Sequence, residues 1–355
     1  MKPEEGFEAF TQEELRAYGI PRSGETRLWE RVHIPENKET PLRISSSHPA
    51  TFVLLGIPED IGPRANLGKG GADTAWEAFL PKFLNIQENA FGIAERTLLA
   101  GKVRTSDLLE RSEKLALGRE EDVLELRKLT SELDQRVVPV IKSIVAAGKV
   151  PVVVGGGHNN AYGNLRGTAE GKREAGHLGM DEGVSCLNID PHADLREMEG
   201  RHSGNGFSYA VEEGHLAFYA MLGLHKNYNP TNILQRFENA PSSYHPRYFE
   251  DILGEKEEEE ALRHALDFLN EHDRPIGLEI DLDAIAGMAV SAETPSGFHE
   301  NGIRRILKRV LWRNPISYLH LAEGAPENKP GYRDHVGKYL AFLVSDAIRE
   351  ASDPV

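Results

Sequence analysis

The run VSCLNIDPHAD occupies residues 184–194. Its first six residues are mostly apolar and short enough for a buried strand, and two carboxylates and an imidazole follow at once. In extended backbone, alternate residues point to the same side, so Asp190, His192 and Asp194 are expected to converge. Buried carboxylates repel one another and resist desolvation, and a divalent cation is a common remedy. The run is therefore predicted to be half of a metal site that follows a buried strand.

Apolar strands and amphipathic helices alternate along the chain after residue 48. This alternation predicts one α/β domain over residues 49–355, with a mostly parallel sheet and helices on both faces. Residues 1–48 show no sustained period and are predicted to be an N-terminal extension that covers the core or meets a neighbouring subunit. The predicted strands are 51–56, 150–154, 184–189, 276–280 and 316–321; the predicted helices are 73–83, 121–148 with a kink or break at Pro139, 257–271, 300–312 and 333–350; and the run 217–224 fits either.

The charge balance and the cysteine count narrow the class of protein. The chain has 355 residues, with 41 basic and 56 acidic side chains and a net charge of −15. That balance argues against nucleic acid or an anionic membrane surface as the main partner. No apolar run approaches the roughly 20 residues of a membrane span. The single cysteine, Cys186, excludes an intrachain disulfide and suits a reducing compartment, so we expect a cytoplasmic protein with Cys186 in its core.

Polar side chains follow four of the predicted strands at the point where each strand ends. In open α/β sheets, ligands bind at the carboxyl ends of the strands, so these groups are expected to meet at one edge of the sheet. They are the loop Gly155–His158, the run Asp190–Asp194, the pair Asp281 and Asp283, and Glu323.

Six of these residues form a candidate ligand set: His158, Asp190, His192, Asp194, Asp281 and Asp283. Imidazole mixed with carboxylate suits Mn²⁺, with Ni²⁺, Fe²⁺ and Zn²⁺ as alternatives, whereas a soft metal would require thiolates. Four carboxylates balance the charge of two divalent ions. Two bridged ions can acidify a shared water near neutral pH, and this indicates hydrolysis.

Other site types fit these stretches less well. Read as a calcium loop from Asp281, the chain has Ala286 at the turn glycine and Ala292 at the bidentate glutamate. Residues 155–163 do not have the dinucleotide-binding spacing, and residues 62–69 miss the spacing of a P-loop.

The three motifs Gly-Gly-x-His, Asp-x-His-x-Asp and Asp-x-Asp, in this order, resemble the ureohydrolase family of arginase, agmatinase and formimidoylglutamase. The resemblance covers roughly residues 52–350. It implies an arginase-like, three-layer α/β/α fold, a centre of two metal ions, usually Mn²⁺, and a homo-oligomer.

The resemblance also implies a role for each residue. His158 and Asp194 would bind one ion, His192 and Asp283 the other, and Asp190 and Asp281 would bridge the two. Asp194 would also accept a hydrogen bond from the attacking hydroxide, and Glu323 would hold the cationic amidine or guanidine group of the substrate. Hydroxide would attack the trigonal amidine carbon, and the tetrahedral intermediate would then lose an amine.

Several residues resemble the formimidoylglutamase branch in particular. Residues 155–163, GGGHNNAYG, and Arg196 follow that branch, and the Arg196 guanidinium is suited to hold a substrate carboxylate. The segment HSGNGF at 202–207 is mixed. Its Ser-Gly-Asn run is arginase-like and implies that Ser203 and Asn205 contact the substrate, whereas Phe207 stands where arginase has a catalytic-loop histidine. A further segment that resembles the substrate-facing loop of this branch contains Arg64, Asn66 and Lys69.

Two departures concern the third motif: Glu279 stands where the family usually has serine and adds a carboxylate near the metals, and Ala286-Gly287 replaces the usual Asp-Pro turn. The first hypothesis is hydrolysis of N-formimidoyl-L-glutamate to L-glutamate and formamide, a step of histidine degradation. The second is release of urea from a guanidine such as arginine or agmatine. The third is a catalytically silent scaffold that keeps a structural metal.

Overall fold

Nine strands of the described chain form one sheet; the structure is a computed structural model that describes residues 2–351. Residues 352–355, the end of the predicted domain, and Met1 lie outside it. The strand order is β1-β3-β2-β4-β9-β8-β5-β6-β7, with β1 antiparallel to β3 and every other pairing parallel. The strands are β1 (Phe7–Ala9), β2 (Phe52–Gly56), β3 (Thr97–Val103), β4 (Val150–Val154), β5 (Val184–Ile189), β6 (Leu216–Leu224), β7 (Tyr244–Tyr248), β8 (Ile276–Asp281) and β9 (Ile316–Ala322).

Helices cover both faces of this sheet, so the predicted α/β class with a mostly parallel sheet is confirmed. No helix within residues 2–351 is long and apolar enough to cross a membrane. The α-helices are α1 (Gln12–Tyr18), α2 (Ile61–Ala65), α3 (Ala75–Phe83), α4 (Ser106–Ser112), α5 (Glu120–Ala146), α6 (Asn160–Glu174), α7 (Gly206–Glu212), α8 (Thr231–Asn239), α9 (Glu255–Asn270), α10 (Glu300–Arg313) and α11 (Arg333–Glu350).

Strand β2 shows how the layers form. Phe52 and Leu54 pack into the apolar cluster that also holds residues of α3, α9, α10 and α11. Val53 and Leu55 pack into a second cluster with residues of α5. Successive side chains of a strand point to opposite faces, and here both faces are apolar. The sheet is therefore buried on both sides, as its near-continuous apolar strands predict.

The N-terminal segment is part of this architecture. Phe7–Ala9 pairs with Gly101–Val103 as the edge of the sheet. Phe10, Leu15 and Leu28 are buried in the larger apolar cluster. These contacts tie the segment to the same core as the strands that follow it.

Helix α5 continues through Pro139, so the break considered at this position is absent. Proline removes one backbone hydrogen bond from a helix interior. Burial of the neighbouring Val137, Val140 and Ile141 offsets that loss, since most helix stability in proteins comes from tertiary packing.

The sequence does not predict helix α6 or strand β3. The run 217–224, which fits either a helix or a strand, is part of strand β6. Helix α6 contains Gly163, Gly167 and Gly171, which disfavour a helix when the sequence is considered locally. A Cβ atom at Gly163 would lie 2.6 Å from Val137, and one at Gly167 would lie 2.7 Å from Ile141. The glycines permit close packing of α6 on α5, which is a tertiary reason for them.

Candidate metal centre and substrate cavity

The candidate ligands come together at the carboxyl ends of four neighbouring strands, β4, β9, β8 and β5. The loop with His158 follows β4, Asp190 follows β5, Asp281 ends β8 and Glu323 follows β9. This edge of the sheet is where an open α/β fold binds its ligands.

The imidazole of His158 lies at the centre of the cluster. Its Nδ1 atom is 3.0 Å from Asp190 Oδ2, 2.9 Å from Asp194 Oδ2 and 3.0 Å from Asp281 Oδ2. None of these oxygens makes a hydrogen bond of acceptable geometry with Nδ1. One ring nitrogen cannot satisfy three carboxylates, whereas a cation between these atoms would be bound by all four groups. The residues present therefore fit a divalent metal ion.

His192 and Asp283 lie on the same cavity but outside this tight group. Nδ1 of His192 is 3.4 Å from Asp190 Oδ1, so the two oxygens of Asp190 face different imidazoles. The backbone N–H of Asp283 donates to Asp281 Oδ1 at 2.7 Å. Asp190 thus has one oxygen toward each imidazole, as a bridging carboxylate would, whereas Asp281 has Oδ2 toward His158 and Oδ1 on the Asp283 backbone N–H.

The run Asp190–Asp194 reaches this arrangement by a turn. The prediction that this run is extended is therefore wrong. The backbone N–H of His192 donates to Asp190 Oδ1 at 2.7 Å, and Asp194 has a left-handed backbone with φ 50°. Side-chain hydrogen bonds of this type compete with regular strand geometry. The carboxylates of Asp190 and Asp194 converge because the loop folds back.

The carboxylates influence one another strongly. Burial and the charge of Asp190 raise the pKa of Asp194 to about 6. Burial and the charge of Asp281 raise the pKa of Asp283 well above its usual range. Burial opposes ionisation of Asp190 as well, but the adjacent imidazoles of His158 and His192 lower its pKa. The group as a whole resists full ionisation, and bound cations would remove that cost.

Glu323 faces the cavity from a left-handed position with φ 62°. Its Oε1 accepts a hydrogen bond from the His158 backbone N–H at 2.6 Å, and its Oε2 accepts one from Ser291 Oγ at 2.5 Å. Burial and the charge of Asp281 raise the pKa of Glu323 to about 8. Ser291, which fixes this carboxylate, was not among the expected site residues because it lies in the loop after β8 with no motif around it.

Glu59 is a second residue that the sequence motifs did not indicate. Its Oε1 accepts hydrogen bonds from the Gly157 backbone N–H at 2.8 Å and from Asn160 Nδ2 at 2.6 Å, and its Oε2 accepts one from the Ile61 N–H at 2.7 Å. The side chain is fully buried, and burial raises its pKa to about 7. Glu59 joins the loop after β2 to the loop that carries His158. Its position just after a strand is the only sequence signal for this role.

A cavity of about 330 Å³ opens above the cluster and is lined by two chemically different groups of side chains. We call Asp194, Asp281, Asp283 and Glu323, together with the underlying Asp190, the carboxylate wall. We call Asn66, Lys69 and Arg196 the cationic rim.

Arg196 is exposed, and its Nη1 donates to Asn66 Oδ1 at 2.7 Å. Asn66 Nδ2 donates in turn to Ser203 Oγ at 3.2 Å, which places Ser203 on the cavity. Lys69 is also exposed, and it makes no ion pair within the described residues. The rim therefore presents two cations to the cavity on flexible side chains.

The side chains of Asn205 and Arg64, which the sequence suggests as substrate contacts, do not line the cavity. Asn205 Nδ2 donates to the carbonyls of Glu197 and Gly200, and its Oδ1 accepts from Arg201 Nη1 at 2.9 Å. The Arg64 guanidinium donates to the Ser112 carbonyl at 2.7 Å. Asn205 thus holds neighbouring loop segments together, and Arg64 joins α2 to the end of α4.

The chain is similar in sequence to proteins named as formimidoylglutamases. A formimidoylglutamase from Geobacillus kaustophilus is 28% identical over 90% of this chain and 88% of its own length. A formimidoylglutamase from Nocardia farcinica is 30% identical over 79% of this chain and 81% of its own length.

Solved structures share the fold. Formimidoylglutamase from Bacillus subtilis superposes with a TM-score of 0.71 at 13% identity and covers 94% of each chain. A Trypanosoma cruzi formiminoglutamase, solved with Mn²⁺, superposes with a TM-score of 0.68 at 18% identity and covers 92% of this chain and 100% of its own. The expected arginase-like fold is therefore confirmed.

The match to a protein family covers most of the chain. The model of the arginase family matches residues 50–345, close to the span over which the motifs resemble the ureohydrolases. The expected class of enzyme, a hydrolase of carbon–nitrogen bonds in linear amidines, is confirmed at the level of the family. This chain belongs to the arginase family.

Proposed function

We propose that this protein hydrolyses N-formimidoyl-L-glutamate to L-glutamate and formamide. The observation that carries the proposal is the division of the cavity into a carboxylate wall and a cationic rim. The substrate has an amidine head, which is cationic when protonated, and two carboxylates at its other end. The relatives named above as formimidoylglutamases support the same substrate.

The proposed centre holds two divalent ions, with Mn²⁺ first and Ni²⁺, Fe²⁺ or Zn²⁺ as alternatives. His158 and Asp194 would hold one ion and His192 and Asp283 the other. Asp190 and Asp281 would bridge them, and the contacts of the two Asp190 oxygens with His158 and His192 support this role for Asp190. When bound, the ions supply a hydroxide nucleophile near neutral pH.

The chain's own residues orient the substrate and move protons. Glu323 is fixed by Ser291 and by the His158 backbone, so it can hold the amidine N–H groups in a defined direction. Asp194 borders the cavity beside His158 and can accept a proton from the nucleophile and return it to the leaving amine. Arg196 would bind a substrate carboxylate, with Ser203 and Lys69 nearby.

Product analysis tests the substrate. The Mn²⁺-loaded protein is incubated separately with formimidoylglutamate, arginine, agmatine and formamidine, and each reaction is assayed for formamide, ammonia and urea. We expect formamide and glutamate from formimidoylglutamate, and little urea from arginine or agmatine. Agmatine has no carboxylate for Arg196 to bind. Efficient release of urea would favour the arginase-type hypothesis, and no turnover of any compound would favour the silent scaffold.

Several predictions of the sequence accompany this proposal. They are a place in histidine degradation, a cytoplasmic location, assembly into a homo-oligomer, and the division into an N-terminal extension and a domain from residue 49. Nucleic acids and membranes are not expected as partners, because the net charge of −15 disfavours anionic surfaces.

A further inference from the structure

Glu279 precedes the bridging Asp281 by two residues in β8, so the sequence places an additional carboxylate near the metal centre. The structure puts this carboxylate behind His158, away from the cavity. Glu279 Oε2 lies 3.5 Å from His158 Nε2, whereas the opposite ring nitrogen, Nδ1, faces the aspartates. Glu279 is fully buried and does not line the cavity.

The partner of Glu279 is His320 on the adjacent strand. The two residues are direct neighbours in the pairing of β8 with β9. His320 Nδ1 lies 2.6 Å from Glu279 Oε2, and His320 Nε2 lies 3.3 Å from the Gly155 carbonyl oxygen. Both side chains have no solvent exposure. His320 therefore fixes the Glu279 carboxylate and connects it to the loop that carries His158.

A histidine that binds a metal through one ring nitrogen needs an acceptor for the N–H on the other. Among the described residues, His158 Nε2 makes no hydrogen bond of good geometry, and Oε1 of Glu279 is also without a partner. The carboxylate of Glu279 is the acidic group within reach of Nε2. The oxygen nearest Nε2 is Oε2, at 3.5 Å, and a carboxylate oxygen has two lone pairs, so it can accept from His158 as well as from His320.

We propose that Glu279, held in place by His320, is a positioning residue for the metal ligand His158. Glu279 accepts the Nε2–H of His158 and so keeps the lone pair of Nδ1 directed at the metal position between Asp190, Asp194 and Asp281. This inference rests on the proposed metal centre and does not depend on which amidine is the substrate. It assigns a function to the residue by which this chain departs from the usual family motif.

Measurements of Mn²⁺ binding test the role of Glu279. Glu279→Gln keeps the size of the side chain and removes its charge, and Glu279→Asp withdraws the carboxylate by one carbon. By calorimetry, we expect Glu279→Gln to bind Mn²⁺ about 10–100-fold more weakly, the usual cost of losing a partner of a metal ligand. In Glu279→Gln, the EPR signal of a coupled Mn²⁺ pair should be absent at Mn²⁺ concentrations that saturate the wild type. It should return at higher Mn²⁺ concentrations.

His320→Gln provides a second variant and a coupling test. If His320 acts through Glu279, the double variant should bind Mn²⁺ about as weakly as the weaker single variant, so the two effects are not additive. Asp346→Asn is the matched control. Asp346 is a buried carboxylate on helix α11 that does not line the cavity, and it pairs with Arg304 at 2.6 Å. The control should change the melting temperature without changing Mn²⁺ affinity.

The outcomes separate this inference from the proposed function. Folded Glu279→Gln and His320→Gln variants with wild-type Mn²⁺ affinity would overturn the positioning role and leave the proposed function intact. A third tightly bound ion that is lost in Glu279→Gln would show that His158, Glu279 and His320 bind a metal themselves, and would also overturn it. A wild-type protein that binds two Mn²⁺ but does not hydrolyse formimidoylglutamate would refute only the substrate.

Discussion

The carboxylate wall and the cationic rim of the cavity are built in different ways. Most of the carboxylate wall comes from residues at or just beyond the ends of strands, and Asp190, Asp281, Asp283 and Glu323 are buried. The cationic rim comes from loops, and Arg196 and Lys69 are exposed. Groups on a packed sheet keep a fixed geometry, whereas groups on loops can change with little effect on the core. The wall is thus suited to conserve the chemistry and the rim to select the substrate.

The largest expected effect is on the wall. His192→Ala removes one proposed ligand, and it should weaken Mn²⁺ binding by more than the roughly 10–100-fold cost of losing an outer partner, with activity lost in parallel. Calorimetry and a hydrolysis assay at matched Mn²⁺ concentrations measure both. His225→Ala is a useful control. Like His192, His225 stacks on Tyr228, but it does not line the cavity. Full activity of His192→Ala at unchanged metal content would exclude His192 from the site.

The next effect concerns the response of the wall to pH. The pKa of Asp194 is about 6 in the folded protein without metal, against about 3.9 in an unfolded chain. Ionising Asp194 therefore costs folding free energy, so its contribution to stability is present below about pH 4 and is lost as pH rises through 6. Bound Mn²⁺ favours the ionised carboxylates and should reverse this trend.

The corresponding measurement is the melting temperature with saturating Mn²⁺ or with a chelator, between pH 5 and 8. At free Mn²⁺ of 100 times its Kd, binding stabilises the fold by about 2.7 kcal/mol. The difference in melting temperature between the two conditions should grow with pH. A difference that is constant over this range would contradict the assignment of Asp194 as a ligand.

A smaller effect is expected at the rim. Arg196→Ala should raise KM for formimidoylglutamate by up to about fivefold, consistent with the loss of up to about 1 kcal/mol from an exposed ion pair with a bound carboxylate. KM for formamidine, which has no carboxylate, should change little. Arg111→Ala, which removes an exposed arginine that pairs with Glu132 and does not line the cavity, serves as the matched control. Equal effects on both substrates would show that Arg196 acts by holding Asn66 and the loop around it.

Much of the wall was predictable, because its residues follow apolar strands that a local pattern can identify. The strands 150–154 and 184–189 have the expected bounds, and the position of Asp190 after the second follows from them. Helix α6 was not predictable in the same way, since its glycines matter only where they meet Val137 and Ile141 of α5. Local propensity describes a chain segment, whereas close helix packing depends on a distant one.

The roles of several single residues likewise depend on tertiary contacts and not on local sequence patterns. Glu59 and Ser291 act through contacts with residues far away in the sequence, namely Gly157 and Glu323. Asn205 belongs to an arginase-like segment, yet its side chain binds neighbouring loops. No pattern of spacing reveals which way such a side chain points.

The amino-acid sequence by itself determined the class of fold, the family and the six candidate ligands, because periodicity and motif order are properties of the chain. The tertiary structure decided how those residues face one another, that Arg196 and Lys69 line the same cavity, and that Glu279 lies behind His158 with His320. These relations depend on the order of strands in the sheet, which brings β4, β9, β8 and β5 side by side although they are far apart in the chain.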